Sequence, residues 1–254
     1  MSQKDFYNNN VKKFSIYKST YNQTNEHTQQ FIFNLIGTHK HKIILDYGCG
    51  NGGISYLHAK AGAKLVLGVD ISKKLIANAI KTKQNINSLH FLTIDDKNLY
   101  FDKVIKDGIF DIITSYLVFC CIKDEKLLNS IIKSFYYKLK KGGKVYIQLP
   151  NIEDFNGKES YSFYIIKENN LQEGKETFAY LRTNGKAFPK GLNNSSEHLK
   201  IINYFWSKKK LKEMFINQGF KNVEIYNIKV ENSEYDGIVD EKNYSPLFVL
   251  TATK

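Results

Sequence analysis

The chain has 254 residues, with 42% apolar and 14% aromatic side chains, which suffices for a packed core and excludes wholesale disorder. Its net charge of +12 rests on 37 basic residues, among which Arg182 is the only arginine. Arginine suits bidentate phosphate and base contacts, and the lysines are spread along the chain. The charge therefore reads as solvated surface and argues against a nucleic-acid partner.

In chain order, the opening MSQKDFYNNN is polar and lacks the apolar centre of a signal segment. No later run reaches the roughly 18 apolar residues of a membrane span, so a cytoplasmic protein with no membrane partner is expected. Residues 1–40 read as a helical lid ahead of the first strand. "KIILDY" (42–47) is a buried strand, followed by a helix through "GGISYLHAKAG" that Gly62 ends. "KLVLGVD" (64–70) is a second strand, and Ser72 is placed to cap the helix after it. "LHFLTI" (89–94) and "FDIITSYLVF" (110–119) are the third and fourth strands. In the next helix Leu127, Leu128, Ile131, Ile132, Phe135 and Leu139 share one face. Lys140 and Lys141 are expected in its last turn and Gly142 at its cap. "KVYIQLP" (144–150) is a fifth strand.

From 151 to about 205 the pattern becomes irregular and rich in aromatics. A helix returns at 207–218, ended by Gly219, and "FKNVEIYNIKV" (220–230) and "SPLFVLTAT" (245–253) read as closing strands. Their short linker predicts a hairpin rather than a helical crossover. The expected fold is α/β: a Rossmann-like, seven-stranded, mostly parallel sheet with an antiparallel C-terminal hairpin and helices on both faces. It forms a single domain over 1–254, with 151–206 inserted as a substrate cover.

The turn after the first strand, "IILDYGCGNGG" (43–53), carries the chemistry. As Gly48-x-Gly50-x-x-Gly53 it fits a dinucleotide fingerprint; as Asp46-x-Gly48-x-Gly50-x-Gly52 it resembles the first motif of S-adenosylmethionine-dependent methyltransferases. The glycines let backbone approach a ligand in either case. Asp46 ends an apolar strand, where a carboxylate needs a cationic or hydrogen-bonding partner, and a dinucleotide offers no ammonium there. Asp70 ends the second strand, where a carboxylate accepts from ribose hydroxyls of either cofactor.

With Asp46 and the glycines, Phe91-x-x-x-Asp95, "FDIITSYLVF", "LKKGG-KVYIQLP" and "INQGFKNVEI" follow in order. Together they resemble the class I S-adenosylmethionine-dependent methyltransferases of small-molecule type, over about 40–150 and more loosely 207–253. The resemblance implies S-adenosylmethionine as cofactor, bound by Tyr21, Asp46, Gly48, Cys49, Gly50, Asp70, Ile71, Asp95, Asp96 and Ser115. Asp95 would receive the adenine amino group; Asp96 replaces the small residue usual at that point. Tyr17 is a second lid candidate beside Tyr21.

The resemblance implies methyl transfer to an oxygen or nitrogen of a small organic molecule. Its alternatives are an RNA methyltransferase and a donor-binding protein without turnover. The fourth strand lacks the Asn/Asp-Pro-Pro-Tyr loop of adenine- and glutamine-modifying enzymes, and "FCCIK" lacks the Pro-Cys of cytosine-ring enzymes. No Asp/His cluster suggests a metal. The three cysteines form neither a disulfide framework nor a C-x-x-C site, and Cys120 and Cys121 read as small packed hydrophobes. Phe155, Tyr161, Phe163, Tyr164, Phe178, Tyr180, Phe188, Tyr204 and Trp206 are expected to line an acceptor pocket. Glu197 and His198 are the only adjacent acid/base-capable pair there. His198 reads as a solvent-exposed polar residue, with a general base as the sharper alternative. The catalytic residues and the oligomeric state are left unassigned.

Overall fold

The computed structural model describes residues 3–20, 23–83, 85–95, 105–183, 188, 198–229, 240 and 243–254. Five apolar runs become parallel strands: β1 (Ile43–Tyr47), β2 (Leu65–Asp70), β3 (Leu89–Thr93), β4 (Phe110–Tyr116) and β5 (Leu139–Pro150). With β9 (Lys221–Ile228) and β10 (Leu247–Thr253) they form a seven-stranded sheet in the order β3-β2-β1-β4-β5-β10-β9. β10 is antiparallel to both β5 and β9, so the sheet closes as expected.

Strands covered on both faces read as continuous apolar runs, and that is why they were visible. On one face, α6 (Glu125–Lys138) and α8 (Lys208–Asn217) bury Ile131, Phe135, Met214 and Phe215 against Leu45, Ile113 and Leu250. On the other, α3 (Gln23–Ile36) and α4 (Gly53–Lys60) contribute Ile32 and Ala59 to a cluster with Ile44, Val66 and Val249. Ser72 caps α5 (Lys73–Thr82) by accepting from the Leu75 amide at 3.2 Å. Asp124 caps α6 in the same manner, at 2.8 Å from the Leu127 amide.

Two expectations fail. Helix α6 stops at Lys138, and Leu139 is already extended and paired with Phe110. Lys140, Lys141 and Gly142 therefore lie in β5. Tertiary contacts decide this boundary: Lys138 donates to Asp107 at 2.7 Å, and Lys140 reaches both Asp111 oxygens at 2.9 Å.

The stretch expected to be irregular also contains a sheet among its described residues. After the short α7 (Ile152–Phe155), β6 (Phe163–Ile165), β7 (Glu176–Leu181) and β8 (Leu199–Tyr204) make a separate three-stranded antiparallel sheet. The N-terminal residues form α1 (Gln3–Asn9) and α2 (Val11–Thr20) ahead of α3. Phe6, Phe14 and Tyr17 of α1 and α2 share a hydrophobic cluster with Phe163, Ile165 and Leu181 of the small sheet. The N-terminal helices and the small sheet thus pack together beside the carboxyl ends of β1, β2 and β4.

Candidate active site

Between these helices, the small sheet and the strand ends lies a cavity of about 460 Å³, within the size range of small-ligand sites. Its floor is the turn after β1. The Gly48 and Cys49 amides both donate to the Val69 carbonyl, at 2.8 and 2.9 Å, which ties the turn to β2. Gly48 has φ +75°, and a Cβ there would stand 2.2 Å from Val118 Cγ2. Gly52 has φ +76°, and a Cβ there would meet the Phe91 ring at 2.4 Å. Only glycine permits both the backbone angle and the approach. Phe91 therefore packs the base of the turn.

Asp70, at the end of β2, holds the turn's shape. Its Oδ2 accepts from the Gly50 amide at 2.9 Å and its Oδ1 from the Ser72 amide at 2.8 Å. The Ile71 amide is a third backbone donor to the same carboxylate, so of its about four acceptor sites about one is left for a ligand. Burial pushes the Asp70 pKa up, and these backbone hydrogen bonds pull against it.

Asp46 is 1% exposed and finds the partners its position requires. Ser55 Oγ donates to it at 2.6 Å and Thr114 Oγ1 at 3.3 Å. Burial raises its pKa to about 6, against those two hydrogen bonds and the attraction of Lys18. Lys18, on α2, sits 5.5 Å from the Phe14 ring centroid and 5.6 Å from that of Tyr17. Burial lowers its pKa to about 8, opposed by Asp46 and Glu26. The cavity therefore carries an anion and a cation whose charges are both marginal near neutral pH.

Of the residues implied as donor ligands, Asp46, Gly48, Cys49, Gly50, Asp70 and Ile71 line the cavity. Asp95 does not: it lies exposed just beyond β3, while its neighbour Ile94 lines the cavity and donates its amide to the Asp70 carbonyl at 2.9 Å. Ser115 is fully buried in β4, away from the cavity lining, and its hydroxyl finds no partner among the described residues. Tyr21 and Asp96 lie outside the described residues. Tyr17 does line the cavity, its hydroxyl accepting from Asn25 Nδ2. Asn25 Oδ1 in turn accepts from Gln148 Nε2 at 2.9 Å.

The wall expected to receive an acceptor differs from expectation. Among the nine aromatics of the cover, only Phe163 and Tyr204 line the cavity. Trp206 is in the core, donating to the Ile122 carbonyl at 2.9 Å. Aliphatic side chains make most of that wall instead: Ile165, Ala179, Leu181 and Ile201. His198 is 3% exposed and its ring lies tilted against Phe188, so it is neither solvent-facing nor in the cavity lining. Glu197 lies outside the described residues.

Cys120 packs in the core as expected, but both cysteines also border the cavity. Tyr7 of α1 meets Cys121 there, Oη to Sγ 3.5 Å. Leu117, whose carbonyl both thiols reach at 3.4 Å, has φ +60°, a rare angle for a bulky residue and one that clusters at functional sites. Lys18 and Tyr7 escaped sequence reading because nothing in a lid helix's local pattern says which side chains turn inward.

The fold and this glycine-floored cavity are those of a nucleoside-cofactor enzyme. The chain belongs to the methyltransferase domain family, whose model matches residues 21–225, and is a class I S-adenosylmethionine-dependent methyltransferase. It is similar to the demethylmenaquinone methyltransferase of Oceanobacillus iheyensis, with 26% identity over 71% of this chain and 70% of that one. The ribosomal protein L11 methyltransferase of Burkholderia lata is 32% identical over 40% of this chain, which spans only 30% of that enzyme's length. In fold, it resembles the S-adenosylmethionine-dependent methyltransferase of Mesorhizobium loti at a TM-score of 0.62 and 14% identity, over 89% of this chain and 96% of that one. No helix among the described residues is long and apolar enough to cross a membrane.

Proposed function

We propose that this enzyme transfers the methyl group of S-adenosylmethionine to an oxygen or nitrogen of a small organic molecule. The observation that carries the reading is the continuity of one cavity from the Gly48–Gly52 turn to the aliphatic wall of the small sheet. S-adenosylmethionine supplies a methyl group already activated on a sulfonium. What the chain must add is placement and exclusion of water, which can contribute several kcal/mol, on the order of 7–11, to the barrier.

Asp70 offers its remaining acceptor capacity to the ribose, while Gly48 and Gly50 let backbone lie against the ligand. Asp46 and Lys18 present opposite charges to the ammonium and carboxylate of the methionine end. Ile71 and Ile94 offer apolar surface to the adenine, next to the exposed Asp95. Tyr21 and Asp96 stay with the donor site on the family resemblance alone. Tyr7, Phe14 and Tyr17 roof the cavity and keep water out.

A small acceptor is supported by the size of the cavity, about 460 Å³. It is also supported by Arg182, which donates to the Tyr161 carbonyl at 2.7 Å and pairs with Glu159 at 3.3 Å inside the cover. The demethylmenaquinone enzyme is likewise named for a small molecule. Three free cysteines suit the reducing cytoplasm.

Isothermal titration with S-adenosylhomocysteine tests the donor half. Micromolar binding that Asp70→Ala abolishes is expected. Absence of heat with that ligand, together with binding of NADH, overturns the reading.

A further inference from the structure

The cavity-facing side of the small sheet is laid out in cross-strand rows. Leu181 stands between Phe163 and Leu199, and Ala179 between Ile165 and Ile201. In the next row Thr177 faces Asn203. Phe163, Ile165, Ala179, Leu181 and Ile201 give the cavity an apolar wall, and Asn203 is the single polar side chain that this face adds to it. Alternation along β8 puts Ile201 and Asn203 on the same side, with Ile202 turned to solvent at 41% exposure.

Asn203 is only 4% exposed, yet its carboxamide has no hydrogen bond to any described residue. Thr177, the obvious neighbour, directs its hydroxyl at the main-chain carbonyl of Asn203 instead, at 3.4 Å. Its amide atoms are not sealed in the protein but open onto the cavity, and a bound molecule that covers them without pairing them leaves a desolvated amide unmatched, which is costly. An amide left free in this place is matched by a group on whatever enters the cavity. The rest of the wall is apolar and non-directional, and cannot by itself choose one orientation of a bound molecule.

We propose that Asn203 selects and orients the methyl acceptor, an apolar small molecule carrying a hydroxyl or carbonyl oxygen that pairs with this carboxamide. The inference rests on the methyl-transfer reading above and names its substrate class. A carboxamide both donates and accepts, so it can hold either oxygen type. Apolar wall and lone amide together disfavour hydrocarbons of the same shape, which leave the amide unmatched.

The test uses the full chain saturated with S-adenosylhomocysteine and two probes of nearly equal shape, 2-naphthol and naphthalene, titrated calorimetrically. Wild type is expected to bind 2-naphthol about tenfold more tightly than naphthalene, the strength of one net hydrogen bond. Asn203→Leu should remove that preference and bind naphthalene as well as or better than wild type. Asn203→Ala carries the same expectation should leucine disturb the packing. Equal affinities for the two probes in wild type overturn the proposal, as does a preference that survives in both variants or a failure of 2-naphthol to bind. Binding of S-adenosylhomocysteine is measured first on each protein. Its loss from wild type would count against the methyl-transfer reading, whereas normal donor-product binding with no probe preference would count against Asn203 alone.

Discussion

Asp70 and Gly50 are bonded across the mouth of the donor turn, the Gly50 amide donating to Asp70 Oδ2 at 2.9 Å. The carboxylate that faces the ribose in the proposed complex also fixes the loop beneath it. Asp70→Asn keeps size and shape but turns an N–H₂ toward either the Gly50 or the Ser72 amide, donor against donor. The expected result is a loss of about 1–3 kcal/mol in urea unfolding and a 10–100-fold weaker calorimetric affinity for S-adenosylhomocysteine. An unchanged unfolding midpoint would remove the loop-fixing role.

Gly52→Ala tests the approach of Phe91 to the turn. The added Cβ would lie 2.4 Å from Phe91 Cζ on a backbone with φ +76°. Overpacking and left-handed strain together should cost about 2–4 kcal/mol, measured by denaturant unfolding. Pairing it with Phe91→Leu should recover part of that loss, because the ring is the obstructing group.

Donor-product affinity should be bell-shaped in pH. Asp46 has a pKa of about 6 in the free protein and Lys18 one of about 8. As pH falls through 6, Asp46 gains a proton and loses its attraction for the ligand's ammonium. As pH rises through 8, Lys18 loses a proton and its attraction for the carboxylate. Calorimetry from pH 5 to 9 should show both limbs, since such profiles report the groups of the free protein. Asp46→Asn should flatten the acid limb and Lys18→Met the alkaline one.

His58 couples stability to acidity. It is fully buried, stacks on Phe33 with ring centroids 4.6 Å apart, and meets Thr114 Oγ1 at 3.4 Å. Burial lowers its pKa from 6.5 to about 3, with the nearby His39 adding to the effect. The folded pKa is depressed, so below 6.5 the unfolded chain takes up a proton that the folded one refuses, and stability is lost as pH falls toward 3. The slope approaches 1.4 kcal/mol per pH unit, and it is absent in His58→Phe. The raised pKa of Asp46 acts in the opposite sense, favouring the folded chain as pH falls below about 6, but it is common to both proteins. Unfolding free energies of wild type relative to His58→Phe should therefore decline steadily from pH 6.5 downward; parallel curves would contradict this.

The main sheet was legible because its central strands, such as β1 and β4, are buried on both sides and turn residues mark element boundaries, as with Gly62 after α4 and Ser72 before α5. The floor of the site was legible for a related reason: Asp46, Gly48, Gly50 and Asp70 sit within one strand-turn-helix unit and the strand beside it. The end of α6 was misjudged because Lys138 and Lys140 answer to Asp107 and Asp111, contacts between elements that helical periodicity does not register. The small sheet was missed because short strands such as "ETFAYL" carry their pattern over only 6 residues. With the sheet went the wall it builds, so aromatic content suggested a pocket whose lining is mostly aliphatic. Lys18, Tyr7 and Asn203 reach the cavity only through tertiary packing of lid and cover.

The most direct measurement is a crystal structure of the chain with S-adenosylhomocysteine. The ribose hydroxyls should lie on Asp70, with the amino and carboxylate groups of the homocysteine end divided between Asp46 and Lys18. A ligand bound anywhere but on the Gly48–Gly52 turn, or lying there with its ribose turned from Asp70, would contradict the proposed site.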